Sequence, residues 1–143
     1  MATTPQFPAT PKVSWGTVIT ANTAKDGTGT VVTVFTAGAN GARIDQIKVR
    51  AKGTNIATVL RFFVNNGSTN ATPANNVLVH ETTLAATTLS EVAALADIDV
   101  LIPKDEGRVA VPIPFLPAGH KINVTLGTTV AAGYDVTVFG GDF

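Results

Sequence analysis

From residue 13 onward the chain is a succession of short β-type runs, each closed by a turn signal, and it leaves almost no stretch on which a helix could form. Residues 13–20 (VSWGTVIT) put Val13, Trp15, Thr17 and Ile19 on one face. A polar gap over 21–30 holds the turn dipeptide Asp26-Gly27. Residues 31–36 (VVTVFT) are β-branched and aromatic, and the loop after them ends in Asn40-Gly41, which suits positive φ angles. In residues 42–52, Ile47, Val49 and Ala51 alternate with Lys48, Arg50 and Lys52, the period of a strand with one buried face. Ile44 is out of phase with Ile47, which predicts a bulge at Asp45-Gln46.

Residues 56–65 (IATVLRFFVN) are apolar on both parities apart from Arg61, so they read as a central strand covered on both sides. A polar loop over 66–76 leads to a strand over 77–84. Only 85–96 (AATTLSEVAALA) has room for a helix, a turn or two capped by Ser90. Residues 97–102 (DIDVLI) alternate acid and aliphatic, and 103–107 form an exposed turn. Residues 108–115 (RVAVPIPF) point Val109, Val111, Ile113 and Phe115 one way, and Pro112 and Pro114 place that strand at a sheet edge. Strands over 121–126 and 134–139 complete the set. With about eight or nine strands, turn signals about every 8–15 residues and no crossover helices, parallel α/β folds are excluded and a sandwich or closed barrel remains. No internal repeat is visible.

Ahead of this domain, residues 1–12 hold Pro5, Pro8 and Pro11, which favour an extended arm, with Phe7 as its natural anchor. The expected organisation is an arm over 1–12 and one β domain over 13–143. At 143 residues such a domain buries about 70% of its unfolded surface and needs no staple. There is no cysteine, so no disulfide or thiolate chemistry is available. No signal peptide and no membrane span are visible. Three N-x-[ST] triplets, at Asn66, Asn70 and Asn123, read as chance in a Thr-rich chain.

Catalytic patterns are sparse. His80 lies in a strand beside Glu81 and His120 at a turn, with no metal-ligand spacing between them. A His80 pair with a Ser or Thr nucleophile stays open, because triads are assembled in space. Asp97 and Asp99 fall on one strand face about 7 Å apart, which suits an inverting glycosidase or, with Asp105 and Glu106, part of a calcium site; a solvated strand face is the plainer account. Gly27-Thr28-Gly29 lacks the Lys and helix of a phosphate loop. No catalytic residue, metal site or cofactor is assigned.

Only 14% of residues are charged and the net charge is zero, which argues against nucleic acid as a partner. The balance is uneven along the chain: residues 1–76 carry a net +5, including Arg43, Lys48, Arg50 and Lys52, and residues 77–143 a net −5. Sorted onto separate surfaces, these halves would give a polar molecule whose basic strand is a docking face. Interleaved by the topology, they would cancel.

The stretch from Leu116 to Phe143 resembles the closing hairpin of small jelly-roll virion structural proteins of tailed bacteriophages, of the capsid decoration or cement type. The likeness lies in Pro117-Ala118-Gly119, Ile122, Val124 and Gly127-Thr128, then Gly133-Tyr134, Val136, Val138 and Gly140-Gly141-Asp142-Phe143. The resemblance implies an all-β antiparallel jelly roll or related β-sandwich that stabilises the shell from outside, made in the bacterial host cytoplasm. It implies as partners the major capsid protein and copies of the chain itself, as trimers about a three-fold axis, with no membrane involved. Pro5, Phe7, Pro8 and Pro11 would be the arm contacts, and Arg43, Lys48, Arg50 and Lys52 the docking face. The alternative is a tail or fibre module that binds a receptor or glycan through Trp15, Tyr134 or the 66–76 loop. A third reading is a hydrolase built on Asp97, Asp99 or His80.

Overall fold

The computed structural model describes residues 7–104 and 107–143. Its strands are β1 (Thr10–Val18), β2 (Val32–Thr36), β3 (Ala42–Ala51), β4 (Thr58–Asn65), β5 (Asn76–Leu84), β6 (Asp97–Asp99), β7 (Ile102–Pro103), β8 (Val109–Ala110), β9 (Phe115–Leu116), β10 (Lys121–Leu126) and β11 (Tyr134–Asp142). Sheet A runs β1-β11-β3-β6, with β9 also paired to β3; sheet B runs β2-β10-β4-β5; β7 and β8 pair separately. Every strand pair in the two sheets is antiparallel. The protein is therefore all-β and antiparallel, built as a two-sheet β-sandwich, and its described residues contain only a short 3-10 turn at Pro73–Asn75 besides strands.

Period-two alternation builds the core. Ile47 and Val49 of β3, with Tyr134, Val136 and Val138 of β11, face Leu60 and Phe62 of β4 and Ile122, Val124 and Leu126 of β10. All are essentially solvent-free, and each such side chain contributes about 1.5–3 kcal/mol of burial. The bulge expected at Asp45-Gln46 is present. Phe139 pairs with Gln46 and Gly140 with Ile44, so Asp45 is the extra residue and Ile44 returns to the inner face.

β4 is central, between β10 and β5, and is covered on both sides. Phe62 faces the core, while Phe63, equally buried, lies on the other side beneath the segment 21–30. Asn22 folds that segment. Its Nδ2 donates to the carbonyls of Thr28 (2.7 Å) and Thr30 (2.8 Å), and its Oδ1 accepts from Ala24 N–H (3.0 Å). Asn70 of the 66–76 loop ties the roof down by donating to Gly29 (2.9 Å) and Gly27 (3.3 Å). Arg61, on the roofed side, is held by Glu81 (2.7 Å).

Several expectations are corrected. Residues 10–12 are not arm: Thr10, Pro11 and Lys12 pair with Asp142, Gly141 and Gly140, so the sheet begins at Thr10. No helix forms over 90–95; the Ser90 hydroxyl accepts from Val92 N–H (3.2 Å) in a local turn, and Val92 is 98% exposed, with nothing to bury a helical face against. Residues 97–102 and 108–115 do not form single strands. Pro112 and Pro114, which lack an N–H, separate β8 from β9, while Val111 and Ile113 still reach the core. Among the described residues, eleven strands therefore replace the expected eight or nine, the additions being two-residue pieces.

The two sheets pinch together at β1. A Cβ on Gly16 would lie 2.5 Å from Val32 Cγ1. The inner face of β1 can therefore take only a small residue there, and the larger Val13, Trp15 and Ile19 turn outward.

Candidate docking surface

The roof over sheet B leaves the outer face of sheet A as the open face of the sandwich. The register lays this face out in rows. Pro11, Gly141, Arg43 and Phe115 form one row; Trp15, Thr137, Lys48 and Asp99 another; Thr17, Asp135, Arg50 and Asp97 a third. Val13 and Phe139 lie between the first two. The β1 edge of this face is thus apolar and open, with Val13 52% and Trp15 67% exposed, and Phe115, 65% exposed, stands across the sheet on β9.

The rest of the face is charged and internally balanced. Arg43 pairs with Asp45 (2.8 Å), Arg50 with Asp97 (2.9 Å), Lys48 with Asp97 (3.5 Å) and Lys52 with Asp135 (3.6 Å). Gln46 donates to Asp99 (2.8 Å). The +5 and −5 halves are therefore interleaved, because β3 from the first half lies between β11 and β6 from the second. The basic strand is not a positive face in space. These are exposed pairs, worth little individually, and they leave no bare charge to select a partner.

Of the arm contacts, Pro5 lies outside the described residues. Phe7 is 74% exposed and contributes nothing to this chain's core. Pro8 packs by Gly141, Ala9 N–H bonds to Asp142 O (2.9 Å), and Pro11 is part of β1. The Lys12 ammonium turns inward over the Phe35 ring (4.8 Å) and bonds to Asp142 (3.0 Å) and the Thr36 carbonyl, tying the two sheets together.

The catalytic candidates are not brought together. Asp97 and Asp99 lie on the outer face of sheet A, engaged as above, while His80 is in sheet B, tilted against Phe62 at 6.0 Å between ring centres. His120 closes its own turn by a contact to the Ala118 carbonyl (3.2 Å). Asp105 and Glu106 lie outside the described residues. Among the described residues there is no pocket, and no three His, Asp or Glu side chains converge as metal ligands would.

Of the proposed glycan-reading groups, Trp15 is available and Tyr134 is not. Tyr134 is 1% exposed on the inner side of β11, its hydroxyl donating to the Ala85 carbonyl (3.3 Å). The 66–76 loop spends its amides on itself and on the roof, Asn75 donating to Thr69 O (2.8 Å), Asn76 to Asn70 O (2.9 Å) and Asn70 to Gly29 O (2.9 Å). Asn123 is buried, its Oδ1 accepting from the Thr33 hydroxyl (2.7 Å), which closes that triplet to a glycan.

Burial pushes the Tyr134 phenol above its ordinary 10.0, with the Thr87 side chain pulling weakly the other way. The folded state thus favours the protonated ring. Its contribution is complete below the unfolded value and is lost as pH rises through the folded one. Stability should therefore fall in the alkaline range, and Tyr134→Phe should remove that component. Phenolate absorbance reads this directly because the chain has one tyrosine. Titration at the ordinary value in the folded state would contradict it.

No family model, curated protein or solved structure matches the chain.

Proposed function

We propose that this protein is a non-enzymatic jelly-roll component of a tailed-phage virion, decorating or cementing the shell from its exterior. The observation that carries the reading is the strand order. Eight strands divide between the two sheets as β1-β11-β3-β6 and β2-β10-β4-β5, the arrangement expected of two nested Greek keys. The residues that carry the phage resemblance agree with it: Gly140, Gly141 and Asp142 end the strand that joins β1 to β3.

Physical features of the surface support an assembly role. One face is roofed, and the other is charge-balanced with an apolar edge, so contact with a partner would bury area without net charge repulsion. The major shell protein and further copies of the chain are the partners in this reading, and the arm ahead of Ala9 is a second attachment point.

The deletion that tests the arm follows the observed boundary. Removing residues 2–7 spares β1 and its bond to Asp142, so the domain should stay folded, with an unchanged melting temperature. Association with shells that lack the protein should weaken at least about tenfold, the loss of about 1.4 kcal/mol. Full-length protein that does not co-sediment with particles would overturn the reading; undiminished binding of the deletion would remove the arm from it.

A further inference from the structure

The four sheet edges of this sandwich are not alike. β2 carries a bulge, because Ile122 pairs with Phe35 and Asn123 with Thr33, leaving Val34 unpaired. β5 carries another, with Phe62 opposite His80 and Phe63 opposite Leu78, leaving Val79 out; it also bears Glu81. β6 is three residues long. Bulges, charges and shortness are the usual means by which an edge is kept from pairing with another chain. β1 has none of them from Val13 to Val18. It pairs with β11 over nine consecutive positions without a shift, and no backbone hydrogen bond from another described segment reaches it. Its single proline is Pro11, near its start, and its single charge, Lys12, is turned inward to Asp142.

We infer that β1 is a self-association edge: β1 of a second copy pairs with it antiparallel across a two-fold axis, joining the two A sheets into one continuous sheet. The occupant follows from three properties. An antiparallel pair of identical strands is self-complementary, so each copy offers the donors and acceptors the other needs. Further back from the seam, the outer face of sheet A carries Arg43, Lys48, Arg50 and Lys52 against Asp45, Asp97, Asp99 and Asp135, so two copies meet without net repulsion. An edge about 30 Å long and about 20 Å across covers on the order of 600 Å² per copy, and the projecting Val13 and Trp15 carry it towards the ~800 Å² per partner of a stable dimer. In-phase pairing sets Val13 and Trp15 of both copies side by side on the outer face, a cross-strand aromatic and β-branched cluster.

This inference goes beyond the virion reading and does not depend on it. It replaces the three-fold association implied by the resemblance with a two-fold seam. Sedimentation velocity on the full chain should give a dimer, twice the 14.7 kDa of one copy. Val13→Lys and Trp15→Lys place a charge on outward positions outside the buried core, so melting at dilutions where both proteins are monomeric should be unchanged while the dimer dissociation constant rises on the order of 100-fold. Val92→Lys, on a distant exposed loop, should leave the dimer intact. Hydrogen exchange should show alternate β1 amides protected in the wild type and released in Trp15→Lys. A wild-type monomer at high micromolar concentration, a trimer, or a dimer indifferent to both lysines would overturn the inference. Particle binding measured in parallel separates the two ideas: a particle-bound monomer sinks only the seam, and a dimer that ignores particles sinks only the virion reading.

Discussion

Replacing Gly140 by alanine should cost about 3–5 kcal/mol, enough to lower the melting temperature by about 10 °C or more. The added Cβ would lie 2.1 Å from the carbonyl oxygen of Arg43 and 3.1 Å from Ile44 Cα. Both are backbone atoms of β3, which is held between β11 on one side and β6 and β9 on the other. Neither can give way without breaking a ladder. The requirement comes from the bulge: with Asp45 extruded, β3 bends towards β11 where Gly140 meets Ile44. Gly127→Ala is the matched control. Its Cβ would meet nothing nearer than 3.6 Å, so it should be neutral or slightly stabilising by reducing unfolded-state entropy. Urea unfolding of both variants checks the pair, and equal stabilities would refute the close approach.

Asn55→Ala should have a comparable effect, about 3–4 kcal/mol, for a different reason. Asn55 is 3% exposed and uses its whole amide. Oδ1 accepts from Ala132 N–H (2.8 Å) and Gly133 N–H (3.0 Å), while Nδ2 donates to Gly133 O (3.0 Å) and Gly53 O (3.3 Å). Its own backbone exchanges two bonds with Thr87 (2.9 and 3.1 Å). One residue therefore ties together three connections at one end of the sandwich, its side chain joining β3–β4 to β10–β11 and its backbone joining both to Thr87 between β5 and β6. Alanine would strand the Ala132 and Gly133 N–H groups, each costing about 1–3 kcal/mol where water cannot replace the partner, while the Gly53 and Gly133 carbonyls keep their bonds from the Thr87 hydroxyl (2.7 Å) and Lys52 N–H (3.0 Å). Equilibrium unfolding measures the loss. Hydrogen exchange should show the Ala132 and Gly133 amides opening before the strands do, and unchanged exchange there would count against the hub.

Much of this architecture could be read from residue order. The phase slip between Ile44 and Ile47 located the bulge, and the two-sided apolar run around Phe62 and Phe63 marked the central strand. Other features could not be read that way, for identifiable reasons. Val13, Trp15 and Ile19 share one parity, which alternation alone would turn inward; they face out because Val32 presses on Gly16, a contact between strands of different sheets. The charge asymmetry vanished because topology, not sequence distance, chose the neighbours of Lys48 and Arg50. Tyr134 looked available as a ring, but the parity of β11 turns it inside with Val136 and Val138. The open edge was hidden too. The bulges at Val34 and Val79 exist only relative to their partner strands, so the contrast that exposes β1 needs the assembled sheets. Asn55 carried no signal at all, sitting in an ordinary Gly-Thr-Asn turn whose other half lies at Ala132 and Gly133.

The first strand pairs along its whole length with the last, Thr10 opposite Asp142 and Val18 opposite Tyr134. During synthesis β1 therefore emerges long before the strand it pairs with exists. Until β11 is made, the nascent chain carries a strand with two open sides and three exposed large side chains, Val13, Trp15 and Ile19. The pairing that completes sheet A is also among the most distant in the chain, which makes it slow and leaves the unfinished protein prone to wrong partners. Ribosome density, cellular concentration and chaperone supply thus bear on the yield of this protein more than on that of a sandwich whose hairpins close in sequence order.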